Sequence, residues 1–384
     1  MRSTRHLHID PSNRRPLLRD QKSAGDAPPE LRVSKTHTHP SKTTAVPKAG
    51  SPEEASVSFI GTATTIIEWQ GLRILTDPNF LHEGDHVHLG PGVTAKRLTN
   101  PAVDIDELPP IDLVLLSHYH EDHFDRLVEE KLNRDFEIVT TPHAKSCLTS
   151  EARYAHGGIL GGKKEEKGDD GPFRAVHDLD HFESMVLHID GTVGRGEPAP
   201  VIKITGMPGK HVPPGPLAIA NDLLGAVPPT NGWLLEMGWE LDQAQDAAES
   251  RAIENGYRIY ISGDTLLVDE LKQIPAGEDD GDIDLMIVHL GGTTIPGPKM
   301  PLLMVTMDAK QGVELMRLMN PDLTIPVHFD DYDVFLSPLK DFQTEVENMG
   351  TEWKNRVVYL DRGERYRFRV RSRGSRGADV VKVV

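Results

Sequence analysis

The length, charge and cysteine content of the chain limit the classes of protein to which it can belong. Its 384 residues carry a formal net charge of −17, which argues against nucleic acid as the main partner, because phosphate binding needs a concentrated basic face. Cys147 is the single cysteine, which excludes an internal disulfide and favours a reducing, cytoplasmic compartment. There is no long apolar run and no secretory leader, so we expect neither a membrane span nor secretion.

The amino-terminal residues differ in composition from the rest of the chain. Residues 1–50 are rich in Arg, Lys, Ser, Pro and His and have few periodic apolar residues, so burial cannot offset the entropy of ordering. This predicts a disordered basic arm over 1–50 and a folded domain over 51–384. The arm contains two histidine pairs, which we interpret as solvated side chains because no predicted strand holds them rigid. The pairs are His6 with His8 and His37 with His39.

The folded part begins with three short β-rich segments between residues 57 and 76, which predict an antiparallel meander ending at Asp77-Pro78. A glycine-flanked loop with His82, His86 and His88 follows. The spacing of these histidines fits no strand or helix face. We therefore place the loop near the mouth of a pocket, with direct metal ligation as the alternative.

The most informative stretch is Ser117–His123, which directly follows the apolar run Leu113–Leu116. The apolar run predicts a buried strand, and helical spacing of apolar residues over 124–132 predicts a helix after the loop. Four potential metal ligands lie within six positions of this loop: His118, His120, Asp122 and His123. Imidazole and carboxylate together suit a divalent first-row metal such as zinc better than calcium or magnesium. The alternative is a set of solvated histidines before a helix.

Later predicted strands also end at residues that can bind a metal. A strand over 137–141 implies a parallel crossover from the strand before the histidine loop. Further strands are predicted over 185–189, 201–205, 233–237, 257–261, 284–288 and 323–327. The residues at or just beyond strand ends are His211, Asp264, His289 and His328. Because strand ends on one edge of a sheet converge on one crevice, we expect these side chains to meet the histidine loop.

The remaining elements are predicted from periodicity and caps. A helix is expected over Ala309–Met319, where Asp308 and Gln311 have capping-box spacing. A second amphipathic helix is predicted over 338–348, with strands over 357–360 and 366–370. The glycine-rich, charged segment 157–171 predicts a surface loop.

Taken together, these motifs identify a resemblance. The pattern His118-x-His120-x-Asp122-His123 after an apolar strand, with the later His211, Ser262–Thr265 and Pro326–His328, resembles the metallo-β-lactamase-fold metal-dependent hydrolase superfamily. Two further stretches, Gly61–Thr64 and Leu75–Pro78, are most similar to the branch that includes ascorbate-6-phosphate lactonase and N-acylphosphatidylethanolamine phospholipase D. The similarity covers roughly residues 57–335. It implies an α/β fold, a four-layer αβ/βα sandwich, and a hydrolase domain over 51–384.

The resemblance also implies a site of two divalent metal ions, with zinc as the predicted metal and manganese or iron as alternatives. The first metal would be held by His118, His120 and His211, and the second by Asp122, His123 and His328. Asp264 would bridge both metals, and a hydroxide between them would attack a carbonyl carbon or a phosphorus.

We predict Asp122 and His289 as catalytic residues. His289 precedes Gly291-Gly292, where the family usually has a small apolar or glycine-containing turn. It would contact the substrate or donate a proton to the leaving group. The alternative is a buried histidine that is bonded to a carboxylate.

The sequence therefore predicts a cytoplasmic dinuclear hydrolase that cleaves a small ester, lactone, amide or phosphodiester. We expect no nucleic-acid partner, and a homo-oligomer remains open. The alternatives are an inactive metal-binding module on the same scaffold, a nuclease, and an iron oxidoreductase with a flavin domain. The acidic balance disfavours the nuclease, and the lack of a flavodoxin-like segment after residue 370 disfavours the oxidoreductase.

Overall fold

The computed structural model of the chain describes residues 4–39, 50–90, 93–151, 171–191, 198–213, 215, 221, 227–240, 252–274, 282–297, 300–371 and 379–382. Most of the predicted surface loop at 157–171 lies outside the described residues. The described strands are β1 (Arg5–Ile9), β2 (Lys35–Thr38), β3 (Glu54–Gly61), β4 (Thr64–Trp69), β5 (Leu72–Thr76), β6 (His86–His88), β7 (Thr94–Lys96), β8 (Leu113–Leu115), β9 (Ile138–Thr140), β10 (Val176–Asp178), β11 (Ser184–Ile189), β12 (Pro200–Pro208), β13 (Asn231–Glu240), β14 (Ala252–Ile261), β15 (Leu285–His289), β16 (Gly291–Gly297), β17 (Met300–Met304), β18 (Leu323–Val327), β19 (Phe335–Ser337), β20 (Glu364–Arg369) and β21 (Asp379–Lys382). The described α-helices are α1 (Arg126–Lys131), α2 (Pro142–Leu148), α3 (Ala309–Met319), α4 (Leu339–Met349) and α5 (Thr351–Lys354).

Two eight-stranded sheets form the centre of the described fold. One has the strand order β1-β11-β12-β13-β14-β15-β18, with β21 also pairing with β14, and the other has the order β10-β9-β8-β5-β4-β3-β20-β2. Strands β14, β15 and β18 run parallel, as do β5, β8 and β9. The parallel β8–β9 pair confirms the crossover that the sequence predicts. Parallel strands place their carboxyl ends at one edge of each sheet.

Alternate residues of the central strands face different layers, because successive side chains of a strand point to opposite faces. In β8, Leu113 lies in the core between the two sheets, whereas Val114 packs with residues of α1 and α2. In β15, Ile287 lies in the same central core, whereas Met286 packs with residues of α3 and α4. The layers therefore follow the order helix, sheet, sheet, helix. This is the predicted αβ/βα sandwich.

Local signals place α3 and β18 where the sequence predicts them. The Asp308 side chain accepts a hydrogen bond of 2.9 Å from the backbone N–H of Gln311, and Asn320 ends the helix in the left-handed conformation.

None of the described helices is long and apolar enough to cross a bilayer. The predicted strand over 357–360 is wrong, because only Val357 makes a single β-bridge, to Thr324. A small sheet of order β17-β16-β19 was not predicted.

The amino-terminal segment corrects the prediction of a disordered arm over 1–50. Strand β1 pairs in parallel with β11 at the edge of one sheet, and β2 pairs in parallel with β20 at the edge of the other. Between them, Leu17 and Leu18 are buried in the cluster that contains Val128 of α1. The few apolar residues of this segment are thus enough to order it, because the edges of the two sheets supply hydrogen-bond partners for its backbone. Residues 1–3 and 40–49 lie outside the described residues.

An ion pair fixes this segment to the domain. The Arg14 guanidinium donates to both carboxylate oxygens of Asp112, with Nε–Oδ1 2.8 Å and Nη2–Oδ2 3.2 Å. The Asp112 carboxylate is buried and also accepts a 2.8 Å hydrogen bond from the backbone N–H of Arg73. Burial raises the pKa of Asp112, and the guanidinium of Arg14 opposes that rise. Without Arg14 the Asp112 carboxylate would still be buried, but it would lose the guanidinium that bonds to it.

We therefore expect Arg14→Ala to lower the free energy of unfolding by about 2 kcal/mol, because the buried Asp112 carboxylate loses the guanidinium that donates to both of its oxygens. Urea unfolding followed by circular dichroism measures this change. Arg15→Ala is the matched control, since Arg15 bonds only the exposed backbone oxygen of Asp135 in the described residues. Equal losses in the two variants would contradict the role of the ion pair.

Candidate metal centre

Loops at the ends of strands from both sheets bring the predicted site residues together. His118–His123 follow β8, His211 follows β12, Asp264 follows β14 and His328 follows β18. Seven side chains converge in three overlapping groups, within each of which the potential ligand atoms lie within 4.8 Å of one another. The groups are Asp122, His123, Asp264 and His328; His118, His211 and Asp264; and His118, His120 and Asp122. Every predicted metal ligand therefore belongs to at least one group.

Two imidazoles face each other through nitrogens that carry lone pairs. The Nε2 atoms of His118 and His211 lie 3.1 Å apart. The Nδ1–H of His211 donates to the backbone oxygen of Val305 at 2.8 Å, which leaves its Nε2 as an acceptor. The Ser117 hydroxyl donates to Asp77 and so accepts from Nδ1 of His118 at 2.9 Å. Two buried acceptors at this distance repel each other unless a cation lies between them.

A second imidazole pair has a similar spacing. The Nε2 atoms of His123 and His328 lie 3.2 Å apart, and the Nδ1–H of His328 donates to the backbone oxygen of Leu290 at 2.9 Å. Tetrahedral zinc with bonds of 2.0–2.1 Å would separate two nitrogens by about 3.3 Å. Both pairs are therefore within a few tenths of an ångström of the spacing that a shared metal requires.

Two buried carboxylates complete the site. Asp264 Oδ2 lies 3.3 Å from His123 Nε2 and 3.4 Å from His328 Nε2, while Asp122 Oδ2 lies 3.6 Å from His328 Nε2. Asp264 belongs to both the His118 group and the His123 group. Asp122 shares a group with His118 but not with His211, so Asp264 is the carboxylate that groups with both members of each imidazole pair.

The protonation of these groups reflects their burial and their neighbours. Burial lowers the pKa of His118 well below its ordinary value and that of His211 to about 4, so both rings are neutral at pH 7. Burial raises the pKa of Asp264, but His328 and His123 outweigh it and hold that pKa well below its usual range. Conversely, Asp264 and Asp122 overcome burial and raise the pKa of His123. At pH 7 the centre thus offers neutral rings at His118 and His211 and an ionised carboxylate at Asp264, the forms that bind metals, whereas the two carboxylates favour a protonated His123.

His120 differs in detail from the ligand set that the resemblance implies. It groups with His118 and Asp122 rather than with His118 and His211. Its Nδ1 lies 3.0 Å from Asp122 Oδ1. Its buried Nε2 has no hydrogen-bond partner within the described part of the chain. A buried, unpaired imidazole nitrogen beside a cluster of ligands is a group that a cation would satisfy.

Comparisons with known proteins agree with this architecture. A family model described as the beta-lactamase superfamily domain matches residues 56–187. A UPF0173 metal-dependent hydrolase from Thermodesulfovibrio yellowstonii is 22% identical over 267 residues, which are 67% of this chain and 78% of that protein. The mitochondrial N-acyl-phosphatidylethanolamine-hydrolyzing phospholipase D of Saccharomyces cerevisiae is 41% identical over 95 residues, 24% of this chain and 19% of that protein.

Two solved structures share the fold over most of the chain. The isothiocyanate hydrolase from Delia radicum gut bacteria has a TM-score of 0.57 at 16% identity and covers 82% of this chain and 100% of its own. A possible metal-dependent hydrolase from Veillonella parvula has a TM-score of 0.56 at 16% identity, with 82% and 99% covered. Residues 56–187 thus match the beta-lactamase superfamily domain, and the described chain has the fold of these metal-dependent hydrolases. The family resemblance read from the sequence is thus confirmed.

In this metallo-β-lactamase-fold protein, residues outside the predicted set also build the centre. Asp77 accepts hydrogen bonds from both the backbone N–H and the hydroxyl of Ser117, at 2.8 and 2.7 Å. Thr306 donates to Asp264 Oδ2 at 3.0 Å. The end of β5 at Asp77-Pro78 was visible in the sequence and could have indicated Asp77. Thr306 had no such signal, because it lies in a loop after an unpredicted strand.

Backbone conformations at the centre restrict which residues the loops accept. Gly263 has φ +60°, and a Cβ there would lie 2.2 Å from the backbone oxygen of Asn231, so only glycine can precede Asp264. Asp77 and His328 have φ of +37° and +61°, conformations that cost non-glycine residues of order 1–3 kcal/mol each. The surrounding hydrogen bonds hold these residues in place, which is typical of functional sites.

Histidines of the β6–β7 hairpin lie apart from the centre. His82, His86 and His88 are exposed, and none belongs to the ligand groups found among the described residues. His82 Nε2 instead lies 2.6 Å from the Asp104 carboxylate. The hairpin does contact the loop Ser117–His123, because the Glu121 side chain accepts a 2.7 Å hydrogen bond from the backbone N–H of His88.

The position of His289 favours the second of the two interpretations that the sequence left open. The residue is buried, with 1% of its surface exposed, and its Nδ1 lies 3.0 Å from Asp264 Oδ1. Burial lowers the pKa of His289, so the ring is neutral and its Nδ1–H can donate to Asp264. This geometry is that of the alternative, a buried histidine bonded to a carboxylate, which it would orient.

We expect His289→Gln to weaken metal binding at the centre by about 10- to 100-fold, because Asp264 loses the donor that orients it. Competition with a chromogenic chelator measures the affinity. His177→Gln is a matched control, since His177 also bonds a carboxylate, that of Glu137 at 2.8 Å, on the distant strand β10. If His289→Gln binds metal normally but loses turnover and shifts the pH profile, the proton-donor interpretation is correct instead.

Proposed function

We propose that the chain is a dinuclear metal-dependent hydrolase that cleaves a small ester, lactone, amide or phosphodiester. The observation that carries the proposal is the arrangement of two imidazole pairs around one carboxylate. His118 and His211 form one pair, His123 and His328 form the other, and Asp264 lies within ligand reach of both. Two cations close together need a shared anion, and Asp264 is suitably placed to supply it.

The residues fit such a metal pair by the chemistry of their donors. His118, His120 and His211 would hold one ion, Asp122, His123 and His328 the other, and Asp264 both. His120 is partly exposed and groups with His118, while its Nδ1 lies 3.0 Å from Asp122. Imidazole and carboxylate donors accept zinc, manganese or iron. Zinc therefore remains a prediction, as do cytoplasmic location and any homo-oligomer.

When bound, such metals lower the pKa of water to near 7 and stabilise negative charge that develops on the substrate. The chain's own contribution is to hold and orient. The backbone oxygens of Val305 and Leu290 fix the tautomers of His211 and His328. Thr306 and His289 hold the two oxygens of Asp264 in place. We assign Asp122 to metal binding, with His289 acting through Asp264 as a positioning residue.

Metal content tests the dinuclear part of the proposal. After dialysis against metal-free buffer, we expect close to two first-row metal ions per chain by mass spectrometry of the metals. His211→Ala should lose about one of the two, because the ion proposed to be held by His118, His120 and His211 would lose one of its three imidazoles. His86→Ala, at an exposed position outside the ligand groups, should keep both. Full occupancy in His211→Ala would remove His211 from the ligand set.

A substrate panel tests the catalytic part. We expect hydrolysis of at least one of p-nitrophenyl acetate, bis-p-nitrophenyl phosphate, a chromogenic lactone and an anilide. Activity should fall to the enzyme-free rate after chelation and return when metal is added, since the hydroxide depends on the metal. An isothiocyanate belongs in the panel because the chain shares its fold with an isothiocyanate hydrolase. A fully loaded protein that cleaves none of these would favour the inactive binding module.

A further inference from the structure

A second group of histidines lies outside the candidate metal centre, where β1 pairs with β11. His6 and His8 are two positions apart on β1, so their side chains lie on the same face of the strand. The parallel register places His8 directly beside His188 of β11. A strand, which the sequence did not predict, thus holds His6 and His8 and places them beside a third imidazole.

The three rings are in contact. His6 Nδ1 lies 2.9 Å from His188 Nε2. The rings of His8 and His188 stack with centroids 4.5 Å apart and planes at 10°. His188 is buried, with 5% of its surface exposed, whereas His6 and His8 are exposed. One ring is thus fixed by the sheet and two are reachable from solvent.

Acidic side chains border the group. Asp190 Oδ1 lies 3.2 Å from His8 Nδ1, and Glu240 Oε2 lies 3.9 Å from His188 Nδ1. Their negative charge favours a cation over an empty cluster of imidazoles. The donor set contains imidazoles and carboxylates without a thiolate, which suits zinc, nickel or copper and disfavours calcium.

We propose that His6, His8 and His188 form a separate, surface metal site for a divalent first-row ion. The nitrogens of His6 and His188 need to separate by only about 0.4 Å to reach the spacing of about 3.3 Å around tetrahedral zinc. His8 completes the site by rotating its exposed ring away from Asp190. Asp190, which lies beside His8, can supply the fourth ligand, while Glu240 faces the other nitrogen of His188.

Such a site would connect the amino-terminal segment to the first sheet. His6 and His8 belong to β1, an edge strand held by backbone pairing to β11 alone in the described sheet, while His188 belongs to β11. A metal that binds both strands would stabilise the paired state over the separated one. It would therefore slow the opening of β1 without involving any ligand of the candidate metal centre.

The experiment uses the full-length protein with its centre already loaded and dialysed. Titration with zinc alone, followed by calorimetry, is expected to show one additional equivalent in the wild type. His6→Ala and His188→Gln should weaken this binding at least about tenfold, whereas His86→Ala, an exposed histidine on another element, should not. Amide exchange in β1 should slow on adding zinc to the wild type and remain unchanged in His6→Ala.

Several outcomes would overturn the site. These are the lack of an additional equivalent, its persistence in the His6→Ala, His188→Gln double variant, and its loss in His86→Ala. If His188→Gln loosens the fold, His6→Ala decides the result alone, because His6 is exposed on an edge strand. The metal content of the centre, measured in the same samples, keeps this test independent of the proposed hydrolase.

Discussion

The site depends on the electrostatic repulsion between buried imidazole nitrogens whose lone pairs face one another. Backbone oxygens and a serine hydroxyl fix the rings of His118, His211 and His328 so that their Nε2 lone pairs point into one buried space beside two carboxylates. Uncompensated charge and facing acceptors in a space of low dielectric are costly. The raised pKa of His123 shows the same demand for positive charge. A cation satisfies all of these groups at once, which is why the site is best understood as a metal centre.

The candidate ligands come from several loops at strand ends, and no single helix or strand carries all of them. The sandwich has a rigid interior, and the parallel strands of its two sheets end near one edge. Asp264 follows one sheet's strand and the histidine loop follows the other's. The loops themselves are strained at Asp77 and His328. Rigid strands can support such strain because the hydrogen bonds around each loop over-determine its shape.

Signals that are local in sequence predicted the elements that carry the site. The apolar run before Ser117, the cap at Asp308 and the histidine or aspartate at each strand end were all sufficient. The strands β1 and β2 were missed because their stability comes from pairing with β11 and β20, far along the chain, and composition does not report distant partners. Gly291–Gly297 contains three glycines and a proline, so its strand had no β-rich pattern. The orientation of His289 depends on packing that spacing alone cannot indicate.

The pairing of β2 with β20 has a consequence for how the protein is made. Ser34 and Gly363, which bond to each other beside this pair, are 329 residues apart. During synthesis β2 leaves the ribosome long before its partner strand exists, and contacts of such separation form slowly. Strand β2 must therefore remain without this partner until Glu364–Arg369 is translated. Closure of this long loop is expected to be among the final steps by which the chain acquires its native structure.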